Sequence, residues 1–249
     1  MKYIVANPTE NITVLVETPV APADRDEVTG QMFESVPACE QVGYITMPVS
    51  SSCDIRLEMM GGEFCGNASL STAAYHARRK GLKSGETLDV NMECSGVSEA
   101  FICTVTANDD CGINFTGTLQ MPSPLKTEYA DGHPVIFLPG IAHMILPADR
   151  FTKRQIENNI KDYASKFDVS AFGILRWDEE KQYMEPCVYV KGFETLIWEH
   201  GCATGSTCIG YYRYKTGGHS STDVRQPGGT IRIRIHDDKI HLTGNVKFE

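Results

Sequence analysis

The chain has 249 residues, of which 41% are hydrophobic and 22% charged, and its formal net charge is −9. This composition is typical of a soluble globular protein, and the negative charge argues against nucleic acid or an anionic membrane as a partner. No stretch has the ~20 apolar residues that span a bilayer, and the N-terminus turns polar after Ala6, too early for a signal peptide. We therefore expect a cytoplasmic protein.

The first half of the chain predicts strands with two helices among them. Helices are predicted over 22–35 and over 67–80, the second closed by Gly81 after a basic last turn. Strands are predicted at 2–6, 11–17, 41–47, 54–59, 86–92, 99–106 and 111–119. The stretch Met121-Pro122-Ser123-Pro124 then interrupts the pattern. We place a domain boundary there, which divides the chain into 1–120 and 121–249.

The second half repeats this organisation. Helices are predicted over 152–167 and 204–218, and strands at 134–138, 141–146, 171–177, 184–190, 194–199, 230–235 and 239–247. Aligning Cys65 with Cys202 places Ser69 over Ser206. The same alignment places Tyr75 over Tyr212 and Gly81 over Gly218. Each of these cysteines follows an apolar strand and opens a helical run, so the simplest architecture is two similar halves, each a mostly antiparallel sheet around a helix.

The nine cysteines do not form a disulfide or metal pattern. Their number is odd, no two have CxxC spacing, and no Cys/His cluster has zinc-finger spacing, so no metal site is expected. Most are expected to be buried core residues. Cys65 and Cys202 differ because small and polar residues follow them directly: Gly66, Asn67 and Ala68 after the first, and Ala203, Thr204 and Gly205 after the second.

A thiol at a helix N-terminus lies near unpaired backbone N–H groups and a partial positive charge. That position makes the thiolate accessible and also suits a carboxylate ligand. Two such thiols on opposite faces of an amino acid could remove the α-proton and return one to the other face, which a one-site racemase requires. The alternative for each motif is a buried cysteine at a helix cap.

These motifs resemble the pyridoxal-independent amino-acid racemases and epimerases, including diaminopimelate epimerase. The resemblance rests on Cys65-Gly66-Asn67-Ala68 and Cys202-Ala203-Thr204-Gly205-Ser206, and it spans essentially the whole chain. It implies an α+β fold of two pseudo-symmetric halves, an active site in the cleft between them, Cys65 and Cys202 as the proton-transfer pair, and no cofactor. A homodimer is common in this family.

Four further segments resemble the histidine racemase branch, which supplies D-histidine for opine metallophores. They are Cys39-Glu40-Gln41-Val42-Gly43, Glu63-Phe64-Cys65, Leu196-Ile197-Trp198-Glu199 and Gln226-Pro227-Gly228-Gly229. Diaminopimelate epimerase is the alternative, but two of its features are missing. Ser69-Leu70-Ser71 stands where that family has an Arg, and Phe193-Glu194-Thr195 stands where it has a Glu-Arg-Gly stretch.

The resemblance also implies supporting residues. His143 would share a proton with Cys65, Glu199 would bind the α-amino group or pair with Cys202, and Asn7 would contact substrate. We expect Glu40 to accept a hydrogen bond from an imidazole N–H. The alternatives are a core histidine, a solvated strand end and a surface ion pair.

Two other function classes remain open. An isomerase of the phenazine-biosynthesis type would use Glu63 and Thr204-Gly205-Ser206 without a cysteine pair. The other class is a non-catalytic binding module, or a thiol redox protein in which Cys65 and Cys202 form a disulfide.

Overall fold

The computed structural model describes residues 1–192 and 194–249 and contains two compact units. Unit 1 comprises Met1–Gln120 and His241–Glu249, and unit 2 comprises Met121–Ile240. Phe193, in the stretch compared above with Glu-Arg-Gly, lies outside the described residues. The C-terminal residues, predicted as part of the second half, belong to unit 1 because their strand pairs with the first strand of the chain.

Unit 1 is a closed barrel of eight strands around one helix. The strands are β1 (Tyr3–Pro8), β2 (Thr13–Val16), β3 (Gln41–Thr46), β4 (Ile55–Met59), β5 (Thr87–Cys94), β6 (Phe101–Ala107), β7 (Asn114–Met121) and β16 (Lys239–Phe248). They follow one another in this order, and β16 pairs with β1 to close the ring. The helices are α1 (Arg25–Ser35), preceded by a 3-10 turn, and α2 (Gly66–Lys80).

Helix α2 fills the barrel because its residues are small on every side. Eleven of its 15 residues are buried, most of them Ala, Ser, Thr or Gly. The barrel wall makes room for the larger Leu70: a Cβ added at Gly117 would lie 2.7 Å from its Cδ2, and one at Gly244 would lie 3.2 Å from its Cδ1. Burying a leucine side chain contributes about 1.5–3 kcal/mol. The helix start at Cys65 is thereby fixed to a rigid wall.

Unit 2 contains an open mixed sheet. Its strands are β8 (Lys126–Ala130), β9 (His133–Leu138), β10 (Ile141–Pro147), β11 (Ala171–Asp178), β12 (Tyr183–Val190), β13 (Thr195–Trp198), β14 (Ser221–Gln226) and β15 (Gly229–His236). The spatial order is β15-β14-β12-β11-β10-β9-β8, with β13 on β12. Helix α3 (Lys153–Ser165) packs on β11 and β12, and α4 (Ala203–Gly217) packs on β14 and β15.

The two units share a topological repeat. Three helices connect two strands that lie side by side in parallel: α1 joins β2 to β3, α2 joins β4 to β5, and α3 joins β10 to β11. Helix α4 follows β13 and leads into β14, which pairs in parallel with β12. Most other pairings are antiparallel. The predicted α+β fold with a mostly antiparallel sheet and a helix in each half is confirmed.

Two strands lacked a sequence signal. β8 is a short strand at the sheet edge with the exposed residues Lys126, Thr127 and Tyr129, so no apolar alternation marks it. In β14 the buried positions carry Thr222, Val224 and Gln226. Polar residues at buried positions hide the two-residue period that identifies a strand.

Candidate active site

Cys65 is the residue immediately before α2 and forms its N-terminal cap. Its backbone is extended, with φ −126° and ψ 114°, and its Sγ accepts a hydrogen bond from the Ala68 N–H at 3.4 Å. Gly66 and Asn67 are buried in the first turn. The thiol therefore takes the place that a Ser or Asp oxygen usually takes at a helix start.

Cys202 forms the same cap on α4. Its φ and ψ are −120° and 109°, and its Sγ accepts from the Gly205 N–H at 3.3 Å. Both helices have 15 residues and end at a left-handed glycine, Gly81 with φ 76° and Gly218 with φ 69°. The repeat inferred from sequence is thus a repeat of local structure, from the capping thiol to the final glycine.

The first turns of both helices are electropositive and carry small or short side chains. A helix N-terminus carries about half a positive charge on N–H groups without intrahelical acceptors. Ala203, Thr204 and Gly205 are buried and small or short. A Cβ at Gly205 would lie 2.8 Å from the Leu175 Cδ2 and 3.2 Å from the Cys202 Sγ, so a larger residue would have to displace these side chains. These ends can bind a carboxylate.

The Cys65 thiol donates a hydrogen bond to a side-chain amide. Its Sγ lies 2.9 Å from the Gln41 Oε1. The Gln41 Nε2 donates to the Asn11 Oδ1 and, at 2.8 Å, to the Thr13 Oγ1. Asn11 in turn donates from Nδ2 to the Glu40 carboxylate at 2.5 Å. Glu40 is thus connected to Cys65 through two amides.

The Cys202 thiol lies beside a carboxylate instead. Burial raises the pKa of this thiol well above its ordinary value, and Glu199 raises it further through its charge and by accepting a hydrogen bond. The Thr204 hydroxyl, 3.5 Å from Sγ, and the Gly205 N–H favour the thiolate but do not offset these effects. Cys202 is therefore held as a neutral thiol at neutral pH.

Side chains also hold the backbone of each capping cysteine. The Cys202 N–H donates to the Gln226 Oε1 at 2.6 Å, and the Gln226 Nε2 donates to the Ser206 Oγ at 2.9 Å. In unit 1 the Cys94 sulfur accepts from the Cys65 N–H, and burial raises the pKa of the Cys94 thiol. Ser206 is the serine that the sequence repeat aligns with Ser69.

His143 lies in β10, fully buried, with its Nε2 2.8 Å from the Thr204 Oγ1. Burial lowers its pKa to about 3, so the ring is neutral at physiological pH. A Cβ at Gly173, its neighbour on β11, would lie 2.1 Å from Nδ1. The hydrogen bond of this histidine goes to the Cys202 motif, whereas the sequence had associated it with Cys65.

Asn7 lies inside β1, opposite Lys247, rather than after the strand as expected. Its Oδ1 accepts from the Glu10 N–H at 2.7 Å, which stabilises a turn in which Thr9 and Glu10 have positive φ. Among the described residues no hydrogen bond joins Asn7 to the Gln41 network. Its expected contact with substrate stays a prediction.

Among the side chains around Cys65 in unit 1 and Cys202 in unit 2, Asn11, Gln41 and Gln226 were not predicted. Gln41 and Gln226 stand in segments that carry the resemblance, Cys39–Gly43 and Gln226–Gly229, so a signal for them existed. Asn11 had none. Residues 1–192 and 194–249 contain no cluster of three or more His, Cys, Asp or Glu side chains that could hold a metal. The same residues form no helix that is long and apolar enough to cross a membrane.

The fold matches that of solved structures described as a predicted epimerase and a probable racemase. A solved structure described as a predicted epimerase from Pseudomonas aeruginosa superimposes on 99% of this chain and 96% of its own, with a TM-score of 0.72 at 10% sequence identity. A probable proline racemase from Agrobacterium radiobacter gives a TM-score of 0.69 over 99% of this chain and 91% of its own, at 9% identity. The diaminopimelate epimerase-like fold expected from sequence is confirmed.

The family is defined by sequence. The model for the histidine racemase CntK N-terminal domain matches residues 1–248, and the chain belongs to this family. A histidine racemase from Fusobacterium nucleatum is 34% identical over 262 residues, which cover 100% of this chain and 94% of that protein. The diaminopimelate epimerase of Thermotoga maritima is 24% identical over 187 residues, which cover 74% of this chain and 72% of that protein. The chain is accordingly an isomerase of the racemase class.

Proposed function

We propose that this protein interconverts L- and D-histidine without a cofactor, with Cys65 and Cys202 as the two acid/base groups at the α-carbon. One observation carries the proposal: two thiols cap two helices with the same dihedral angles and the same bond to the third residue of the helix. A one-site racemase needs two proton-transferring groups, one for each face of the α-carbon. A duplicated thiol cap meets that requirement.

The reaction proceeds by one proton removal and one proton delivery. The thiolate of one cysteine takes the α-proton and becomes a thiol, which leaves the electron pair on the α-carbon and the carboxylate. The thiol of the other cysteine then donates its proton to the opposite face and becomes a thiolate. The net change is inversion of the centre, and the next turnover runs in the reverse sense or follows proton exchange with water.

The helix ends stabilise the charge that develops during this step. As the α-proton leaves, negative charge spreads onto the substrate carboxylate. The first-turn N–H groups after Cys65 and Cys202 are fixed donors for that charge, because backbone at Gly66, Asn67, Ala203, Thr204 and Gly205 is held by the buried helices. Donors fixed in advance stabilise a transition state without reorganisation.

The side chains around the thiols suit different tasks. Glu199 keeps Cys202 protonated, so Cys202 is the group prepared to deliver a proton. The neutral His143 supports this site through Thr204. Glu40 supplies a carboxylate that can accept from the imidazole N–H of histidine, which is our basis for the side-chain preference. The expectations of a homodimer, a cytoplasmic location and a role in opine metallophore synthesis stay predictions.

A substrate panel tests the proposal. The purified protein, free of pyridoxal phosphate, is incubated with L-histidine, D-histidine, LL-diaminopimelate and a set of other L-amino acids, and the products are separated by chiral chromatography. We expect both histidine enantiomers to approach an equal mixture. Epimerisation of diaminopimelate alone would establish the alternative substrate. No inversion of any amino acid would overturn the proposal.

A further inference from the structure

The last residue of β14 closes a ring of hydrogen bonds around the Cys202 backbone. Gln226 accepts from the Cys202 N–H at 2.6 Å through its Oε1 and donates to the Ser206 Oγ at 2.9 Å through its Nε2. The Ser206 hydroxyl donates in turn to the Cys202 carbonyl oxygen at 2.7 Å. Both hydrogen-bonding groups of the Cys202 backbone are therefore tied to one side chain, directly or through one hydroxyl.

This ring has a fixed direction and is buried. A backbone N–H only donates, so the amide oxygen of Gln226 must face Cys202, and its amide nitrogen is left facing Ser206. Cys202 and Gln226 are each 4% exposed, and Ser206 is fully buried. A buried polar group that loses its partner is unfavourable, so the three residues hold one another in a single arrangement.

The turn that follows β14 holds the same segment at a second point. The Gly228 N–H donates to the His200 carbonyl oxygen at 2.8 Å. His200 lies two residues before Cys202, and Gly228 lies two residues after Gln226. The end of β14 and its turn thus fix the chain on both sides of the peptide that leads into Cys202.

The end of β5 holds Cys65 in a similar way. Cys94 is the last residue of β5, and its sulfur accepts from the Cys65 N–H. The next residue, Ser95, donates from its hydroxyl to the Glu63 carbonyl oxygen at 2.9 Å. Glu63 lies two residues before Cys65, as His200 does before Cys202. Each cysteine is therefore held at its own N–H and at the carbonyl two residues earlier.

The two strand ends also occupy equivalent places in the topology. β5 follows α2 and β14 follows α4, and each pairs in parallel with a strand that precedes its helix. In unit 1 the turn approaches so closely that a Cβ at Gly96 would lie 2.2 Å from the Phe64 nitrogen. The structural repeat therefore extends beyond the helix and its capping thiol to the end of the next strand.

We propose that Gln226 and Cys94 are positioning residues that fix the direction of the Cys202 and Cys65 thiols. The inference rests on the proposed function in so far as it gives these thiols the acid/base role. The N–H of a capping residue has no acceptor within its own helix, so the acceptor at the strand end orients the cysteine backbone and, with it, Cβ and the sulfur. Proton transfer depends on that position, because a misplacement of about 1 Å can cost about a hundredfold in rate.

Two variants remove the strand-end acceptors. Gln226→Leu removes both of its bonds in the ring, and Cys94→Ala removes the acceptor in unit 1. We expect kcat for histidine racemisation to fall roughly tenfold to a hundredfold in Gln226→Leu. In Cys94→Ala the fall should be roughly threefold to tenfold, because sulfur is the weaker acceptor. KM should change by less than about twofold in both variants, since the lost bonds act through the cysteines.

The backbone N–H groups of the cysteines report on these contacts without any reaction. Protein labelled with ¹⁵N on cysteine gives one amide signal for each cysteine, and the signals of Cys202 and Cys65 are assigned by their loss in Cys202→Ser and Cys65→Ser. We expect hydrogen exchange of the Cys202 amide to be roughly tenfold faster in Gln226→Leu. The Cys65 amide should exchange faster in Cys94→Ala, while the buried Cys208 should keep its wild-type rate in both.

Val224→Ala and Cys103→Ala are the matched controls. Val224 is buried on the same strand and the same face as Gln226, and Cys103 is a buried cysteine on β6, which pairs with β5. Both variants lose buried apolar volume but keep every strand-end bond, so they reproduce a loss of stability alone. We expect kcat and the exchange rates of the Cys65 and Cys202 amides to match those of the wild type.

Gln226→Glu is the conservative variant. A protonated carboxyl group has one donor and one acceptor, as the ring requires, and burial favours that form. The ionised group cannot donate to Ser206. We therefore expect kcat near the wild-type value at low pH and a fall relative to the wild type as pH rises through the pKa of the introduced carboxyl group. If Gln226→Leu does not fold, this pH dependence decides the test.

Three results overturn the inference. The first is wild-type kcat with wild-type exchange of the Cys202 amide in folded Gln226→Leu. The second is equally fast exchange of that amide in Val224→Ala, which would make the effect one of general stability. The third is a rise in KM at unchanged kcat, which would make Gln226 a substrate contact. If the wild type and the controls invert no amino acid, the proposed function fails, and the amide exchange rates still decide whether the strand ends hold the cysteines.

Discussion

The two capping cysteines have the same backbone surroundings but different side-chain partners. In both units the thiol precedes a 15-residue helix and accepts from the N–H three residues on. Cys65 donates to a neutral amide, that of Gln41, whereas Cys202 lies against the carboxylate of Glu199. The exposed fraction differs as well: Cys202 is 4% exposed and Cys65 is half-buried.

This difference separates two requirements of a racemase. Reaching both faces of one carbon requires equal geometry, which the repeated helix cap supplies. Running the reaction also requires one thiol and one thiolate at the start of each turnover. Burial and the carboxylate of Glu199 favour the thiol form of Cys202. The repeat therefore explains the geometry, and Glu199, a side chain that departs from the repeat, contributes to the protonation state of Cys202.

Removing either thiol should have the largest effect. Cys65→Ser and Cys202→Ser keep the helix cap but replace a thiol by an alcohol that is a far weaker acid, and we expect racemisation to fall by more than about a thousandfold in each. Chiral chromatography of L-histidine incubations measures this, with Cys111→Ser as the matched control at an exposed position. Near-normal turnover in either variant would remove that cysteine from the mechanism.

Removing the negative charge of Glu199 beside Cys202 should have the next largest effect. Glu199 raises the pKa of the Cys202 thiol, so Glu199→Gln should lower it. The thiol form, which is the proton donor, is lost as pH rises through this pKa, and the alkaline limb of the kcat profile should therefore move to lower pH. We expect kcat to fall roughly tenfold to a hundredfold. Glu180→Gln, at an exposed turn, is the control, and an unchanged alkaline limb in Glu199→Gln would count against the assignment.

Adding a methyl group next to His143 should have a moderate effect on the free energy of unfolding. A Cβ at Gly173 would lie 2.1 Å from the His143 Nδ1 and 2.6 Å from its Cε1, so Gly173→Ala must displace the ring. We expect the free energy of unfolding to fall by about 1–3 kcal/mol, measured by urea denaturation. Gly192→Ala, where a Cβ meets nothing within 4 Å, should leave stability nearly unchanged. Equal stabilities of the two variants would show that the ring moves without cost.

The smallest expected effect is on stability, at the two glycines that end α2 and α4, and it tests whether these helix ends are equivalent. Gly81 and Gly218 end the two helices with φ of 76° and 69°, and a Cβ at either meets nothing within 4 Å. Only backbone strain remains, so Gly81→Ala and Gly218→Ala should each destabilise the protein by about 1 kcal/mol. Urea denaturation of both variants checks this, and a clearly unequal penalty would show that the two caps are not equivalent.

The helical part of this site follows from the sequence in a way that the network behind it does not. A cysteine followed by small residues, a run of alanines or threonines and a final glycine is local information, and it predicted α2 and α4. The partners of Cys65 come together only through the parallel pairing of β2 and β3, which places Asn11 and Thr13 beside Glu40 and Gln41. Nothing in either segment alone specifies that register.

Gln226 shows a second reason why sequence patterns fall short. It lies in β14, where a buried glutamine and a buried threonine replace the apolar residues that would mark the strand. The glutamine is there because it holds the Cys202 N–H and the Ser206 hydroxyl. Gln226 is polar because it forms these hydrogen bonds, and its polarity removes the apolar alternation that would have predicted β14.

The isotope content of the first product formed in D₂O tests the two-base mechanism most directly. L-Histidine is incubated with the protein in D₂O, and α-deuterium is measured by mass spectrometry in D-histidine and in recovered L-histidine while conversion is low. If Cys65 and Cys202 act on opposite faces, the product carries deuterium from the second thiol and the recovered substrate keeps its protium. Protium retained at the α-carbon of D-histidine, or equal deuteration of both enantiomers from the start, would contradict the mechanism and indicate a single base.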